Sequence, residues 1–263
     1  MRKAYANIIY MSFLILVFIV IGVFILKSAS NWQKSSTEIR INNIVYIMDD
    51  SASLAKLYLE ESAKLSLYQA MYDLGKAGEI PGGNALWYDG SADSATGEAV
   101  LIQALADATT ENLAKYTKEY TGTFVFPAEI PFYRNVRIYP NGGSLRIVAN
   151  GDSPVTVKRI SQTQDITIQR SSLINITVNA PFIELYRQLK DAAESARTKL
   201  EACNSGEINQ KQETFCCTVE TAIISSENGC VVNVTAVTKQ KFLVYDNGKA
   251  VMKPITITTI NQP

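Results

Sequence analysis

The chain has 263 residues, 47% of them hydrophobic, and its 25 Lys and Arg residues balance its 25 Asp and Glu residues. Because the net charge is zero, there is no long-range attraction for nucleic acid, and we expect no nucleic-acid partner. The sequence contains no histidine, which excludes the commonest metal ligand and every catalytic arrangement that needs an imidazole.

The first predicted element is a transmembrane helix. No residue between Lys3 and Lys27 is charged, and the run from Ile8 to Leu26 approaches the length of about 20 apolar residues that a helix needs to cross a bilayer. We therefore assign residues 1–30 to a single-pass anchor in the cell membrane, with the lipid bilayer as its partner. The cysteines all lie in the last quarter of the chain, which favours an extracytoplasmic C-terminal domain and a cytoplasmic N-terminus.

Two other fates of this segment remain open. Ser28–Ser30 offers small residues at the spacing of a signal-peptide cleavage site, and cleavage there would release a secreted domain. A short basic leader, Arg2–Ala4, before a long hydrophobic helix from Tyr5 resembles the type IV pilins, including archaeal pilins. That resemblance implies a helix that packs against identical helices inside a filament. The glutamate that pilins carry near the start of the mature helix is missing, since Ile8–Met11 occupies that region.

Residues 31–122 are predicted to form a helical stalk and a helix pair. The polar stretch Ser28–Thr37 is interpreted as either a stalk or a continuation of the anchor helix. An amphipathic helix is then predicted to begin at Asp49 or Asp50 and to end near Gly75 or Gly78. Its apolar stripe consists of Leu54, Leu57, Tyr58, Leu65, Tyr68 and Tyr72. A second helix, from about Gly97 to Tyr120, is expected to form a hairpin with it.

Residues 123–263 are predicted to form a β-rich α+β domain. Alternating stretches predict mostly antiparallel strands, with turns at Asn141-Gly142, Asn150-Gly151 and Asn247-Gly248. The predicted strands are 135–139, 145–149, 155–158, 166–169, 174–178, 216–224, 231–238, 242–245 and 251–260. One further helix is predicted to begin at Pro181 and to end at Asn204–Gly206. Helices and strands occur in separate regions, which is typical of the α+β class.

The strand-rich tail is predicted to be stapled by disulfides among Cys203, Cys216, Cys217 and Cys230. Of the three connectivities, we favour Cys203 with Cys216 and Cys217 with Cys230. A tight hairpin at residues 227–229 would hold Cys217 beyond the ~7 Å Cα separation that a bridge to Cys230 allows, so either that hairpin is irregular or the pairing differs. A metal cluster or redox pair is disfavoured, because no Cys-x-x-Cys spacing is present.

Two segments match the acceptor pattern for N-glycosylation. They are Asn175-Ile176-Thr177 and Asn233-Val234-Thr235, and each lies in a predicted strand with its asparagine on the side opposite the neighbouring apolar residues. We expect both side chains to face solvent. The alternative, ordinary polar residues of a strand, remains open.

No catalytic site, cofactor or metal site is predicted. The chain has neither a P-loop nor a glycine-rich dinucleotide-binding motif. Its acidic pairs, Asp49-Asp50 and Glu60-Glu61, are interpreted as a helix cap and a helix surface. A surface enzyme with a carboxylate-based site is kept as a further alternative.

The layout as a whole resembles uncharacterised N-terminally anchored archaeal surface proteins. The features that carry the likeness are the basic leader and hydrophobic helix, the helix that runs into Gly82-Gly83, the helix start at Asn179–Phe182 and the strand-rich tail. This family carries no assigned activity. The resemblance therefore implies a membrane-anchored structural or interaction protein at the cell surface that has a protein partner or self-associates, with a pilin-like filament subunit as the alternative.

Overall fold

The computed structural model describes residues 2–77, 79–80, 84–85, 97–118, 120, 126–160, 165–200, 208–226 and 229–261. Within the first helix, side chains are described at residue 21, at residues 25–28 and from residue 40 to residue 76. The helices are α1 (Arg2–Ala77), α2 (Glu98–Lys118) and α3 (Phe182–Leu200). The strands are β1 (Glu79–Ile80), β2 (Asn84–Ala85), β3 (Ala128–Glu129), β4 (Val136–Asn141), β5 (Ser144–Ala149), β6 (Val155–Arg159), β7 (Ile166–Arg170), β8 (Ile174–Asn179), β9 (Ile208–Glu213), β10 (Cys217–Ser226), β11 (Gly229–Asp246) and β12 (Lys249–Asn261).

The first helix is continuous over 76 residues, which corresponds to a length of about 114 Å. No new helix begins at Asp49 or Asp50, so that prediction was wrong. Asp49 does not cap a helix end but forms an ion pair with Arg170 of β7. The polar stretch Ser28–Thr37 was interpreted as either a separate stalk or a continuation of the first helix, and in the structure it continues the helix.

The predicted transmembrane helix is overturned, and the single-pass membrane localisation with it. In the part of the chain that the structure describes, no helix combines the length and the apolar character that crossing a bilayer requires. The described side chains of α1 from residue 40 onward include ionisable groups such as Arg40, Asp50 and Lys56, and such groups are costly in hydrocarbon. Most side chains of the run from Ile8 to Leu26, on which the prediction rested, lie outside the described residues.

The strands form antiparallel sheets, and the chain is α+β. One sheet has the order β12-β11-β10-β9, a second β3-β6-β7 and a third β4-β5-β8, while β1 pairs with β2. The β11–β12 hairpin turns at Asn247 and Gly248, whose φ angles of 51° and 78° are both positive. Two positive φ angles define the type I′ turn that Asn-Gly favours, so the prediction of a turn here is confirmed.

The core lies between the helices and the inner faces of the sheets. Helices α1 and α2 pack on each other as predicted, and the Tyr58 hydroxyl donates to the carbonyl of Tyr116 at 2.7 Å. Helix α3 packs on β10 and β11. The largest fully buried side chains are Tyr133, Phe182, Phe242, Met48, Leu59, Leu67, Met71, Leu101, Leu105, Leu113 and Leu145. These side chains join the C-terminal half of α1 to the rest of the protein in one body.

Candidate interaction surface

Helix α1 has two apolar faces. One face is buried against α2 and the sheets and includes Leu59, Leu67 and Leu74. The other is exposed, and we call it the outer stripe. Its members, with their exposed fractions, are Ile21 (49%), Ile25 (61%), Tyr46 (75%), Ile47 (43%), Leu54 (45%) and Leu57 (54%). At about 100° per residue these six side chains fall within an arc of about 100° on the side of α1 opposite the core.

The outer stripe is long and narrow. Its described members form two groups, Ile21 with Ile25 and Tyr46 to Leu57, whose outer ends are about 54 Å apart at 1.5 Å per residue. The side chains of residues 29–39 between the two groups lie outside the described residues. At the same 100° per residue the exposed side chain of Asp50 falls inside this arc, and that of Arg40 lies at one edge of it. Single exposed apolar side chains are ordinary on a protein surface, whereas several large ones gathered on one helix face are typical of an interaction site.

Polar contacts hold the C-terminal half of α1 on the body of the protein. At residue 69 the buried carboxamide of Gln69 pairs with both backbone groups of Tyr245, donating to its carbonyl at 3.2 Å and accepting from its N–H at 2.7 Å. Nearer the N-terminus of α1, Nη2 of Arg170 lies 2.5 and 2.6 Å from the two carboxylate oxygens of Asp49. These contacts fix the part of the outer stripe that includes Leu54 and Leu57.

A charged cluster fixes the last turn of α1. The carboxylate of Asp246 is only 9% exposed and pairs with Lys76 of α1 at 3.2 Å and with Lys253 of β12. The hydrogen bonds from Lys253 and then Lys76 lower the pKa of Asp246 below its ordinary value. Next to this cluster, Gly75 lies so close to β12 that a Cβ placed on it would be 2.7 Å from the carbonyl oxygen of Thr256.

The predicted disulfides are not present among the cysteines that the structure describes. Cys216 and Cys217 are both free thiols. The β10–β11 hairpin is regular, with Ser225 opposite Cys230 and Cys217 opposite Thr238. Cys217 therefore lies eight residues along the ladder from Cys230, about 26 Å at 3.3 Å per residue, and the predicted bridge between them is wrong. Cys203 and the side chain of Cys230 lie outside the described residues.

The two glycosylation motifs lie in different surroundings. Asn175 is exposed on β8, where its side-chain oxygen accepts a hydrogen bond from Nε of Arg146 at 2.8 Å. Asn233 is half-buried on β11 between β10 and β12, and its side-chain oxygen is buried without a hydrogen-bond partner among the described groups. Exposure therefore favours Asn175 over Asn233 as an acceptor, and glycosylation of either residue stays a prediction.

The two residues of each acidic pair, Asp49-Asp50 and Glu60-Glu61, do not form a joint carboxylate site. Asp49 is bound by Arg170 while Asp50 is exposed, and Glu61 pairs with Lys64 at 3.3 Å on the surface of α1. Among the described residues, no group of three or more Cys, Asp or Glu side chains is placed to hold a metal ion.

A polar groove that the sequence did not reveal lies between α3 and the β9–β10 hairpin. It has a volume of about 400 Å³, and its walls combine amide and hydroxyl groups with the apolar side chains Ala192, Ala196 and Val219. Its polar lining includes Gln188, Asp191, Ser195, Gln210, Gln212 and Thr221. Strand β9 was missed because its residues are polar without an apolar alternation, so no pattern could have indicated the groove.

Comparison with known proteins adds no relative. No family model matches the chain, and neither a curated protein nor a solved structure matches it. The resemblance to archaeal surface proteins and to pilins therefore stays a prediction.

Proposed function

We propose that the protein is a non-catalytic structural subunit that associates with copies of itself through the outer stripe of α1. This is the filament-subunit alternative raised by the sequence. The observation that carries it is the pair of apolar faces on one continuous helix, of which one is buried in the protein and the other is exposed. A second copy of the same helix would supply the apolar surface that covers the exposed face.

The dimensions of the outer stripe favour an assembly over an isolated pair. A contact about 54 Å long and about 10 Å wide, the diameter of a helix, covers about 540 Å² on each copy. Stable pairwise interfaces bury about 800 Å² on each partner. The stripe of one helix pair therefore falls short of that area, and further helices in a bundle or a filament would have to supply the remainder.

Two charges, Asp50 within the stripe and Arg40 at its edge, favour a particular stagger. Arg40 and Asp50 are ten residues apart, which corresponds to about 15 Å along the helix. When two parallel copies are staggered by that distance, Arg40 of one copy lies beside Asp50 of the next. Repetition of the same stagger adds further copies without closing a ring, which is the geometry of a filament.

The first experiment removes the apolar character of the outer stripe. In the double variant Leu54→Gln and Leu57→Gln, we expect the sedimentation profile to shift from assemblies to the single chain and filaments to disappear from electron micrographs. The matched control is Leu243→Gln with Met252→Gln, which changes two exposed apolar residues that face each other on β11 and β12. Equal loss of assembly in both variants, or a wild-type chain that stays monomeric, contradicts the proposal.

A second experiment tests the stagger. Arg40→Asp and Asp50→Arg are each expected to weaken assembly, because each places like charges side by side. The double exchange is expected to restore assembly, since it recreates an opposite-charge pair. Failure of the double exchange to recover any assembly contradicts the staggered parallel arrangement, while the Leu54 and Leu57 variants test the stripe itself.

A further inference from the structure

The adjacent thiols of Cys216 and Cys217 lie at the closed end of the β9–β10 hairpin. Residues 214–216 connect the two strands, and the N–H of Thr214 donates to the carbonyl of Cys217 at 2.9 Å. Neighbouring residues of a strand point to opposite sides, but Cys216 lies in the bend before β10. As a result both sulfurs approach the same hydroxyl, that of Thr214, at 3.7 Å from Cys216 and 3.4 Å from Cys217.

Helix α3 distinguishes the two sulfurs through one side chain. The carboxamide nitrogen of Gln188 donates to Sγ of Cys216 at 3.4 Å. The thiol of Cys217 donates to the carboxamide oxygen of the same residue at 2.8 Å. Cys216 therefore acts as the acceptor and Cys217 as the donor.

The two thiols also differ in their exposure to solvent. Cys216 is half-buried, while Cys217 is fully buried. Burial and contact with Cys216 raise the pKa of the Cys217 thiol to about 12. In thiol–disulfide exchange an accessible cysteine attacks the external disulfide and a second, nearby cysteine resolves the mixed disulfide. Cys216 and Cys217 fit these two roles in that order.

We propose that Cys216 and Cys217 form a reversible oxidation site that reacts with low-molecular-weight disulfides. The thiolate of Cys216 attacks one sulfur of the external disulfide, which breaks that S–S bond, forms a mixed disulfide and releases one thiol. Cys217 then attacks Sγ of Cys216, and its proton passes to the departing thiolate, which releases the second thiol and closes a Cys216–Cys217 bond. The protein loses two hydrogens and two electrons, and the external disulfide is reduced to two thiols.

The site is independent of the proposed self-association, because it uses no residue of the outer stripe. Closing the bond removes the S–H that Cys217 donates to Gln188. Gln188 and Thr214 also line the polar groove. Oxidation therefore alters one end of that groove.

The test uses the full chain with Cys203→Ser and Cys230→Ser, so that Cys216 and Cys217 are its only thiols. The folded protein is incubated with oxidised glutathione, quenched with iodoacetamide and weighed intact. We expect both thiols to disappear together, with the mass of two hydrogens lost and no glutathione retained. Adding Cys217→Ser is expected to trap one glutathione on Cys216, whereas adding Cys216→Ser is expected to leave Cys217 unmodified.

Three outcomes overturn the proposal. The first is two thiols that stay reduced in excess oxidised glutathione. The second is two stable glutathione adducts without ring closure, or a disulfide between two chains on a non-reducing gel. The third is an equal rate of reaction with oxidised glutathione for Cys217 in the Cys216→Ser variant and for Cys216 in the Cys217→Ser variant. Circular dichroism checks that both variants are folded.

Discussion

Replacement of Gly75 by alanine tests the close approach of α1 to β12. Glycine in a helix interior is about 1 kcal/mol less favourable than alanine, so helix propensity alone predicts that Gly75→Ala stabilises the protein by about that amount. The structure predicts the opposite sign. A Cβ at this position would lie 2.7 Å from the carbonyl oxygen of Thr256 and 3.4 Å from the side chain of Ile255. The oxygen belongs to the sheet backbone, which cannot rotate away as a flexible side chain can.

The size of the effect follows from two opposing contributions. Forcing an extra carbon into a packed interior costs about 1–3 kcal/mol. After subtraction of about 1 kcal/mol for helix propensity, we expect a net loss of about 1 kcal/mol. Urea unfolding of the full chain, followed by circular dichroism, measures this as a lower midpoint at an unchanged slope.

Gly143→Ala is the matched control for Gly75→Ala. A Cβ on Gly143 would meet nothing within 4 Å, so we expect its midpoint to stay close to that of the wild type. A higher midpoint for Gly75→Ala than for the wild type would refute the argument, because it would mean that α1 and β12 are not held at the described distance.

Three further predictions concern the contacts around the core, each measured by urea unfolding. The pKa of Asp246 is lowered, so its ion pairs stabilise the fold at pH values above the ordinary aspartate pKa of 3.8 and are lost as the pH falls below that value. The Asp246→Asn variant should therefore be less stable than the wild type at pH 7, and its free energy of unfolding should fall less between pH values of about 5 and 3. Tyr133→Phe leaves the carbonyl of Ser172, which accepts from the tyrosine hydroxyl at 2.7 Å, without that buried partner, and should cost about 1–3 kcal/mol; a loss no larger than that of Tyr139→Phe on the surface would contradict this. Asp49→Asn breaks an ion pair whose side chains are 41% and 45% exposed and should cost less than about 1 kcal/mol, so a larger loss would show that the pair is shielded from solvent.

The regular elements after α1 were predictable because their patterns are local. The sequence predicts helices from about Gly97 to Tyr120 and from Pro181, and the structure has Glu98–Lys118 and Phe182–Leu200. The predicted strand at 155–158 is Val155–Arg159 in the structure, which is typical of the agreement for the early strands. Apolar alternation and Asn-Gly turns act within a few residues, so tertiary contacts do not override them.

The continuity of α1 was missed although the sequence contains evidence for it. The pair Asp49-Asp50 was interpreted as a helix start, since Asp is a favoured N-cap residue. No proline occurs before Pro81, and Gly22 is the only glycine before Gly75. An absence of helix breakers over so long a stretch indicates one helix more strongly than a single acidic pair indicates a boundary.

The candidate surface could not be predicted, because the sequence analysis assigned the apolar residues of α1 to the wrong face. Leu54 and Leu57 were placed in the buried stripe, yet they are 45% and 54% exposed. The buried face contains Ala52, Ala55 and Ala63, all fully buried. A search that weights large apolar residues overlooks the alanines that this face carries between Met48, Leu59 and Leu67.

The alanine-rich face has a physical reason that bears on the other face. Small side chains let the backbone of α1 approach α2 and the sheets closely, as Gly75 does against β12. The body of the protein thus packs against alanines together with large side chains such as Leu59 and Leu67. Other large apolar side chains, at Ile47, Leu54 and Leu57, are left outside. Exposing several large apolar side chains in a row has a cost of about 25 cal/mol for each Å² of their area. A second helix that covers the stripe would remove that cost, and this is the physical reason for the self-association proposed above.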